Sequence, residues 1–323
     1  MEGYKPQDFS FFHRSEKLVQ QQQNKMRYDI IIPSSKQDIS FLPRVFKYIR
    51  KNLVDVNSIF VITSINHFHY LKKYINNYNV TLLDENKLCS GLTYNSIDVI
   101  LKSKGEMSRT GWFFQQFLKM GFSQTEYAGE YYLSWDADTL PLSNIQFFDD
   151  EGRPLFTKKK EYHKPYFETM KKLINMDKTV DFSFIAEHMM FRTSFVKELL
   201  TDVDKSKIEG KFWFEKIINA SVTLREPGFS EFETYGTYVW VKHPGYYGTQ
   251  KLNTFREAGM IRGRYISDKL IEKLSFDLDI ASFELFSRPP FPYNYPYIKH
   301  RLKHIKKMNF KEFIIYCKSK IIK

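Results

Sequence analysis

Apolar residues in the first half of the chain fall into short continuous runs, separated by stretches with helical spacing. Tyr28-Asp-Ile-Ile-Ile-Pro33 is the first run, and its closing Pro-Ser-Ser marks a buried strand entering a loop. Phe41, Leu42, Val45, Phe46, Ile49 and Leu53 then recur on one helical face, and Ser58 to Thr63 reads as a second buried strand. A helical stretch from His67 to Asn76 leads to a third strand, Val80 to Leu83, ending at Asp84. Ser108 to Gly121 has the pattern of a capped amphipathic helix stopped by its glycine, and Tyr131 to Trp135 is a fourth strand. Beyond it, Phe182 to Phe191 reads as a strand, Phe212 to Ile218 as a helix, and Glu231 to Val241 as a further aromatic-rich element.

Strands alternating with helices predict an α/β fold with a mainly parallel sheet covered by helices. Ligands of such sheets sit beyond the carboxyl ends of the strands, where this sequence places Pro33, Ser34, Thr63 and Asp84. Composition agrees with a folded chain: 323 residues, 42% hydrophobic and 17% aromatic. The domain expectation is an arm over 1–26, one catalytic domain over 27–287, and a Pro-rich linker with a basic tail over 288–323. The net charge of +12 is mostly that tail: Lys299 to Lys323 holds nine Lys or Arg against one Glu, +8 of the total, leaving +4 elsewhere. Cys89 and Cys317 fit neither a disulfide framework nor a zinc site, which predicts a reducing, cytoplasmic setting.

The fourth strand runs directly into Asp136-Ala-Asp138. Two carboxylates this close repel unless a cation neutralises them, and an oxygen-only pair suits Mg²⁺ or Mn²⁺, hard ions that keep waters and bind substrate phosphates.

Ile30-Ile-Ile-Pro-Ser, then Gly111-Trp-Phe-Phe-Gln-Gln-Phe-Leu-Lys119, then Leu133-Ser-Trp-Asp-Ala-Asp-Thr139 resembles the GT-A class of nucleotide-sugar glycosyltransferases, and bacterial members associated with surface polysaccharide synthesis in particular. The resemblance spans roughly residues 27 to 250 and continues through Ala186-Glu-His-Met-Met-Phe191 and Phe229-Ser-Glu-Phe-Glu-Thr-Tyr-Gly236. It implies a GT-A-like, Rossmann-like mixed sheet with a C-terminal helical basic extension. A divalent ion would bridge Asp138, with Asp136, to the diphosphate of a sugar nucleotide. It also implies that Pro33, Ser34 and Asp38 lie near the nucleoside, that Asp136 alternatively touches the ribose, and that His243, in Val241-Lys-His-Pro-Gly245, is a further metal ligand. Thr63, Arg109, Gln115 and Trp135 are further candidates for donor binding: Thr63 at a strand end, Arg109 as a cation for the diphosphate, and Trp135 as a stacking ring.

Transfer with inversion needs a group to take the acceptor hydroxyl proton, and Glu231, Glu233, Glu187 and His188 are the acid-base candidates, Glu231 first. If their segment is extended, Glu231 and Glu233 share a face; if it is helical, they diverge. Apolar Phe310, Phe313, Ile314, Cys317 and Ile321 follow helical spacing among lysines, so residues 299–323 read as an amphipathic helix able to lie on an anionic membrane and reach a lipid-linked or surface-glycan acceptor. Nucleic acid is not the expected partner, since no recognised binding module is present. Two other readings compete. One is a haloacid-dehalogenase-type phosphatase with Asp136 as nucleophile, which lacks the usual Gly-Thr after the second aspartate; the other is a non-catalytic, membrane-associated glycan-binding module.

Overall fold

A computed structural model describes residues 26–106, 109–264, 266–285, 289, 290 and 292. The expected N-terminal arm, apart from Met26, and the basic tail lie outside the described residues, as does Ser108, the expected helix cap. Among the described residues there are two compact units, one of 26–137 with 145–251 and one of 138–144 with the described residues from 252 onward.

The first unit follows the apolar runs. Strand β1 (Tyr28–Pro33) is buried at all six positions. Helix α1 (Leu42–Asn52) opens with Pro43, whose missing N–H is harmless in a first turn, and buries Leu42, Val45, Phe46 and Ile49. Strand β2 (Val56–Thr63) follows. The expected helical stretch near His67 to Asn76 is present as consecutive short α- and 3-10-helical turns over residues 65–78, closed by Asn79 in the left-handed region at φ 49°. Asparagine tolerates that conformation well, so the turn into β3 (Val80–Asp84) carries little strain.

Helix α2 (Tyr94–Ser103) begins with a reciprocal cap: Thr93 Oγ1 accepts the Ser96 amide and Ser96 Oγ accepts the Thr93 amide. Helix α3 (Thr110–Gly121) buries nearly all of its length and leads through a helical turn to β4 (Tyr131–Trp135). Strand β6 of the chain follows β5, which belongs to the second unit and is bounded Thr139–Pro141; β6 itself is Leu155–Thr157. Helix α4 (Lys164–Ile174), strand β7 (His188–Arg192) and helices α5 (Thr193–Asp204), α6 (Trp213–Ala220) and α7 (Glu231–Lys242) complete the unit, with β8 (Gly248–Gln250) paired to β6.

The central sheet has the order β3-β2-β1-β4-β7. The first four strands are parallel and β7 is antiparallel to β4, so the expected mixed, mainly parallel α/β sheet is what the chain forms. The expected strand over Phe182 to Phe191 is shorter, however. Only His188 onward pairs with β4; upstream, Ser183 bridges antiparallel to Lys159, and the Phe184 amide and Ser183 hydroxyl are bonded to the Glu233 carboxylate.

In the second unit, β5 pairs antiparallel with β10 (Ile280–Ser282), and β10 pairs parallel with β9 (Thr254–Phe255). Thr139 Oγ1 and Ser282 Oγ are 2.7 Å apart within this small sheet. Two short helices, α8 (Gly259–Arg262) and α9 (Asp268–Leu274), lie between β9 and β10 in the chain.

Candidate active site

Parallel pairing puts Pro33, Thr63, Asp84 and Trp135 at one edge of the central sheet, since each ends its strand. Beyond that edge lies a cavity of about 450 Å³. Its polar wall comes from the loop after β1, with Ser34, Lys36 and Asp38, and from His67 and Glu85; its apolar wall is Tyr94 of α2 with Trp112, Phe114 and Leu118 of α3, and Gln115 lies on the same helix. An aromatic wall facing carboxylates, hydroxyls and cations suits a flat heterocycle joined to a polar group.

Four of the fourteen distinct site candidates therefore meet at the cavity: Pro33, Ser34, Asp38 and Gln115. Thr63 supports it from behind, its Oγ1 lying 3.0 Å from Nδ1 of His67. Trp135 does not reach the cavity; it is fully buried and stacks on His188 at 5.4 Å. Arg109 precedes α3, and its Nε donates to the Arg225 carbonyl at 3.4 Å.

Burial, with Asp84 beside it, pushes the Glu85 carboxyl up to about 7. The folded state thus holds this proton more tightly than the unfolded chain. The stabilising proton is fully bound below the ordinary range near 4.5 and is lost as pH rises toward 7. Glu85→Gln is expected to flatten the decline in stability between those values, with about 1 kcal/mol gained at pH 8 after allowance for solvent screening and none at pH 4, read from urea midpoints.

One turn along α3 from the cavity, the chain builds a second feature. Lys119 is buried, its side chain 6% exposed, and its Nζ lies 3.2 Å from Asp136 Oδ1 and 3.0 Å from Glu231 Oε1. The same ammonium sits 4.4 Å from the centre of the Phe232 ring. Burial lowers the Lys119 pKa, but the Asp136 and Glu231 charges outweigh it and hold the ammonium above its usual range. Gln116, one helical turn earlier on the same face, accepts the Glu231 amide at 3.0 Å. Asp136 keeps a partly exposed side chain, 31%, and its amide donates to the Glu187 carbonyl at 3.1 Å.

The acid-base candidates separate here. Glu231 joins Asp136 through Lys119. Glu233, two residues on in α7, faces away, as helical geometry requires. Its carboxylate is taken up by Ser183 Oγ, by the Phe184 amide at 3.1 Å and by Lys178 at 3.4 Å. Glu187 is buried with Lys159 3.6 Å away. His188 is buried against Trp135, with Nε2 2.8 Å from Thr157 Oγ1; burial, reinforced by Lys159, pulls its pKa down to about 3, so the ring is neutral. His243 lies at the other end of α7, a 12-residue helix about 18 Å long, where Nε2 is 2.7 Å from Glu198 and the ring stacks on Phe195 at 3.8 Å. The structure does not bring it to Asp136. Asp138, partly exposed, belongs to the second unit, and Thr139 Oγ1 donates to its Oδ1 at 3.3 Å.

The carboxyl edge of the α/β sheet thus carries a cavity of about 450 Å³ with a charged cluster one helical turn away. The chain belongs to DUF6492, a family of unknown function, whose profile matches residues 25–258. No curated protein matches the sequence significantly. Among solved structures, the chain is similar to the galactosyltransferase LgtC in complex with donor and acceptor sugar analogues, at 11% identity and TM-score 0.39, over 79% of this chain and 86% of that one. It is similar to apo mouse xyloside xylosyltransferase 1 at 8% identity and TM-score 0.40, covering 82% and 99%. The glycosyltransferase GlyE of Streptococcus pneumoniae, in its apo form, is similar at 10% identity and TM-score 0.36, covering 93% and 65%.

Proposed function

We propose that this chain is a metal-dependent glycosyltransferase that moves a sugar from a nucleotide-diphosphate sugar to a surface-glycan or lipid-linked acceptor. The observation that carries the reading is the placement along α3: Gln115 and Leu118 line the cavity, and Lys119, the next residue, holds Asp136. A nucleoside seated between Tyr94, Trp112 and the Ser34 to Asp38 loop would have its phosphates directed toward Asp136.

The Asp136-Ala-Asp138 tripeptide would hold Mg²⁺ or Mn²⁺. The donor chemistry fits: Asp136 is partly exposed with one oxygen on Lys119, and both ligands are oxygens, leaving phosphate and water to complete the shell of a hard ion. Among the described residues no group of three or more His, Cys, Asp or Glu is arranged to hold a metal. When bound, the ion would neutralise charge on the departing nucleoside diphosphate. Lys119 fixes Asp136 and Glu231 at one distance from each other, and Phe232 covers the ammonium from water. Glu231 is the group we assign to the acceptor hydroxyl proton, because its carboxylate shares Lys119 with Asp136. No helix of the described residues is long and apolar enough to cross a membrane. Attachment to an anionic surface is assigned to residues 299–323.

The test is a thermal-shift panel of UDP, GDP and CDP sugars with and without Mn²⁺. One nucleotide class is expected to stabilise the wild type by several degrees only with metal, and Asp138→Asn to abolish the gain; release of nucleoside diphosphate then establishes turnover. Hydrolysis of simple phosphate esters, lost in Asp136→Asn, would replace this reading with the phosphatase.

A further inference from the structure

Stacking rings accept every base alike, so the aromatic wall of Tyr94 and Trp112 gives the cavity at the carboxyl edge affinity for a nucleotide but no choice of base. Choice falls to the polar groups of the lining. His67 is tied through Nδ1 to Thr63 Oγ1 at 3.0 Å. Two of the others are carboxylates, Asp38 and Glu85. Asp38 is already engaged by Ser35 Oγ, which donates to its Oδ2 at 2.7 Å. The half-buried Glu85 carboxylate makes no hydrogen bond or ion pair among the described residues.

The backbone fixes where Glu85 stands. Its amide donates to the Thr63 carbonyl at 3.1 Å, at the end of β2. The next residue, Asn86, donates its amide to Asp84 Oδ1 at 3.1 Å and accepts the Tyr94 amide on its own Oδ1 at 3.0 Å. Glu85 is thus pinned between the last residue of β2 and Tyr94, the first of α2, whose ring is 48% exposed and stands edge-on to Phe114 at 5.9 Å. Burial, with Asp84 adding repulsion, opposes ionisation of this carboxyl, and among the described residues no cation offsets them. A ligand that donates two N–H bonds to the carboxylate compensates that cost. An ionised carboxylate only accepts hydrogen bonds. Guanine alone among the common bases presents two adjacent donors on one edge, N1–H and the N2 amine. Uracil, cytosine and adenine each set an acceptor beside a donor, and its lone pair would face the carboxylate.

Taking the cavity as the nucleotide site proposed above, we propose that the donor is a guanosine-diphosphate sugar and that Glu85 selects the base, its two oxygens accepting N1–H and the N2 amine of a guanine stacked on Tyr94.

Calorimetric titration of the full chain at pH 8 with Mn²⁺ tests this, with GDP, IDP, xanthosine diphosphate, UDP, CDP and ADP as probes. GDP is expected to bind most tightly. IDP, which lacks only the N2 amine, should bind roughly tenfold more weakly, the loss of one hydrogen bond to a charged acceptor. Glu85→Gln should weaken GDP by at least that factor and strengthen xanthosine diphosphate. The amide carries one acceptor and one donor, and xanthine has a carbonyl in place of the amine, so each group again meets its complement. A variant that merely lost a structural contact would not exchange one nucleotide for another. If UDP, CDP or ADP binds at least as tightly as GDP, or GDP and IDP bind equally, the guanine assignment falls while the glycosyltransferase reading stands. A preference for GDP over IDP that persists in Glu85→Gln overturns the role of Glu85. Binding of none of these nucleotides, with or without metal, overturns both readings. The comparison of GDP with IDP uses the wild type alone, so it holds whatever the stability of the variant.

Discussion

Lys119→Met is expected to destabilise the protein by about 3–5 kcal/mol, the cost of removing one partner from a buried ionic group. Methionine fills nearly the same volume and keeps the contact with Phe232, so the loss reports charge. The side chain of Glu231 is 6% exposed and would be left in the interior without its cation, while Asp136, at 31%, retains water. Adding Glu231→Gln should therefore recover much of the loss, whereas Asp136→Asn should recover less. The pH sign follows from the raised Lys119 pKa: its stabilisation is fully present below about 10, the value of the unfolded chain, and is lost only as pH rises through the higher folded value. Wild type minus Lys119→Met should thus be constant from pH 6 to 9 in urea midpoints. A difference below about 1 kcal/mol, or no recovery in the double variant, would show that the cluster is solvated and that Lys119 does not organise Glu231 and Asp136.

That lysine also marks where sequence reading stops. β1, β2, β3 and β4 were legible because strands covered on both faces are continuous apolar runs, and their carboxyl ends located the loop of Ser34 and Asp38. Lys119 sits between Leu118 and Met120 in a helix that buries nearly every position, so its one-dimensional pattern is that of a solvated charge near a helix end. The available signal was the pair Gln116 and Lys119, two polar side chains three residues apart among apolar neighbours; both meet residue Glu231. Helix α2 was missed for a different reason: Ser96 stands where a capping box more often has Glu or Gln, and only Ile97 and Leu101 are buried. Trp135 and His188 read as functional residues because of what surrounds them in sequence, but they stack on each other across the β4–β7 pair. No local pattern distinguishes a ring that faces a ligand from one that faces another ring. The same limit holds for Glu231 and Glu233, whose segment proved helical and whose side chains diverge to Lys119 and Ser183.

Gly236→Ala is expected to cost about 2–3 kcal/mol although alanine is the better helix former. Gly236 lies in the middle of α7, where glycine would by itself forfeit about 1 kcal/mol relative to alanine. The reason for it is the approach of Phe184: a Cβ at this position would stand 2.6 Å from both Cδ atoms of that ring and closer still to Cγ. Phe184 is held from both ends. Its amide donates to Glu233, one turn back on the same helix, and its ring packs edge-on against Phe156 at 4.9 Å. The closest approach is to Cγ, which turning the ring about its own axis does not move, so relief requires Phe184 or α7 to shift. Because Glu231 opens this helix, a shift of α7 moves its carboxylate relative to Lys119. The expected result is a lowered urea midpoint, together with a turnover defect out of proportion to any change in nucleotide binding, since the cavity proposed for the nucleotide is lined by α2, α3 and loops and not by α7. Gly111→Ala is the control: a Cβ there meets nothing within 4 Å, so the variant should be neutral or stabilising by up to about 1 kcal/mol. Equal stability of Gly236→Ala and wild type would mean that α7 and the 182–184 segment are not packed at this distance, and the positioning of Glu231 by that contact would have to be given up.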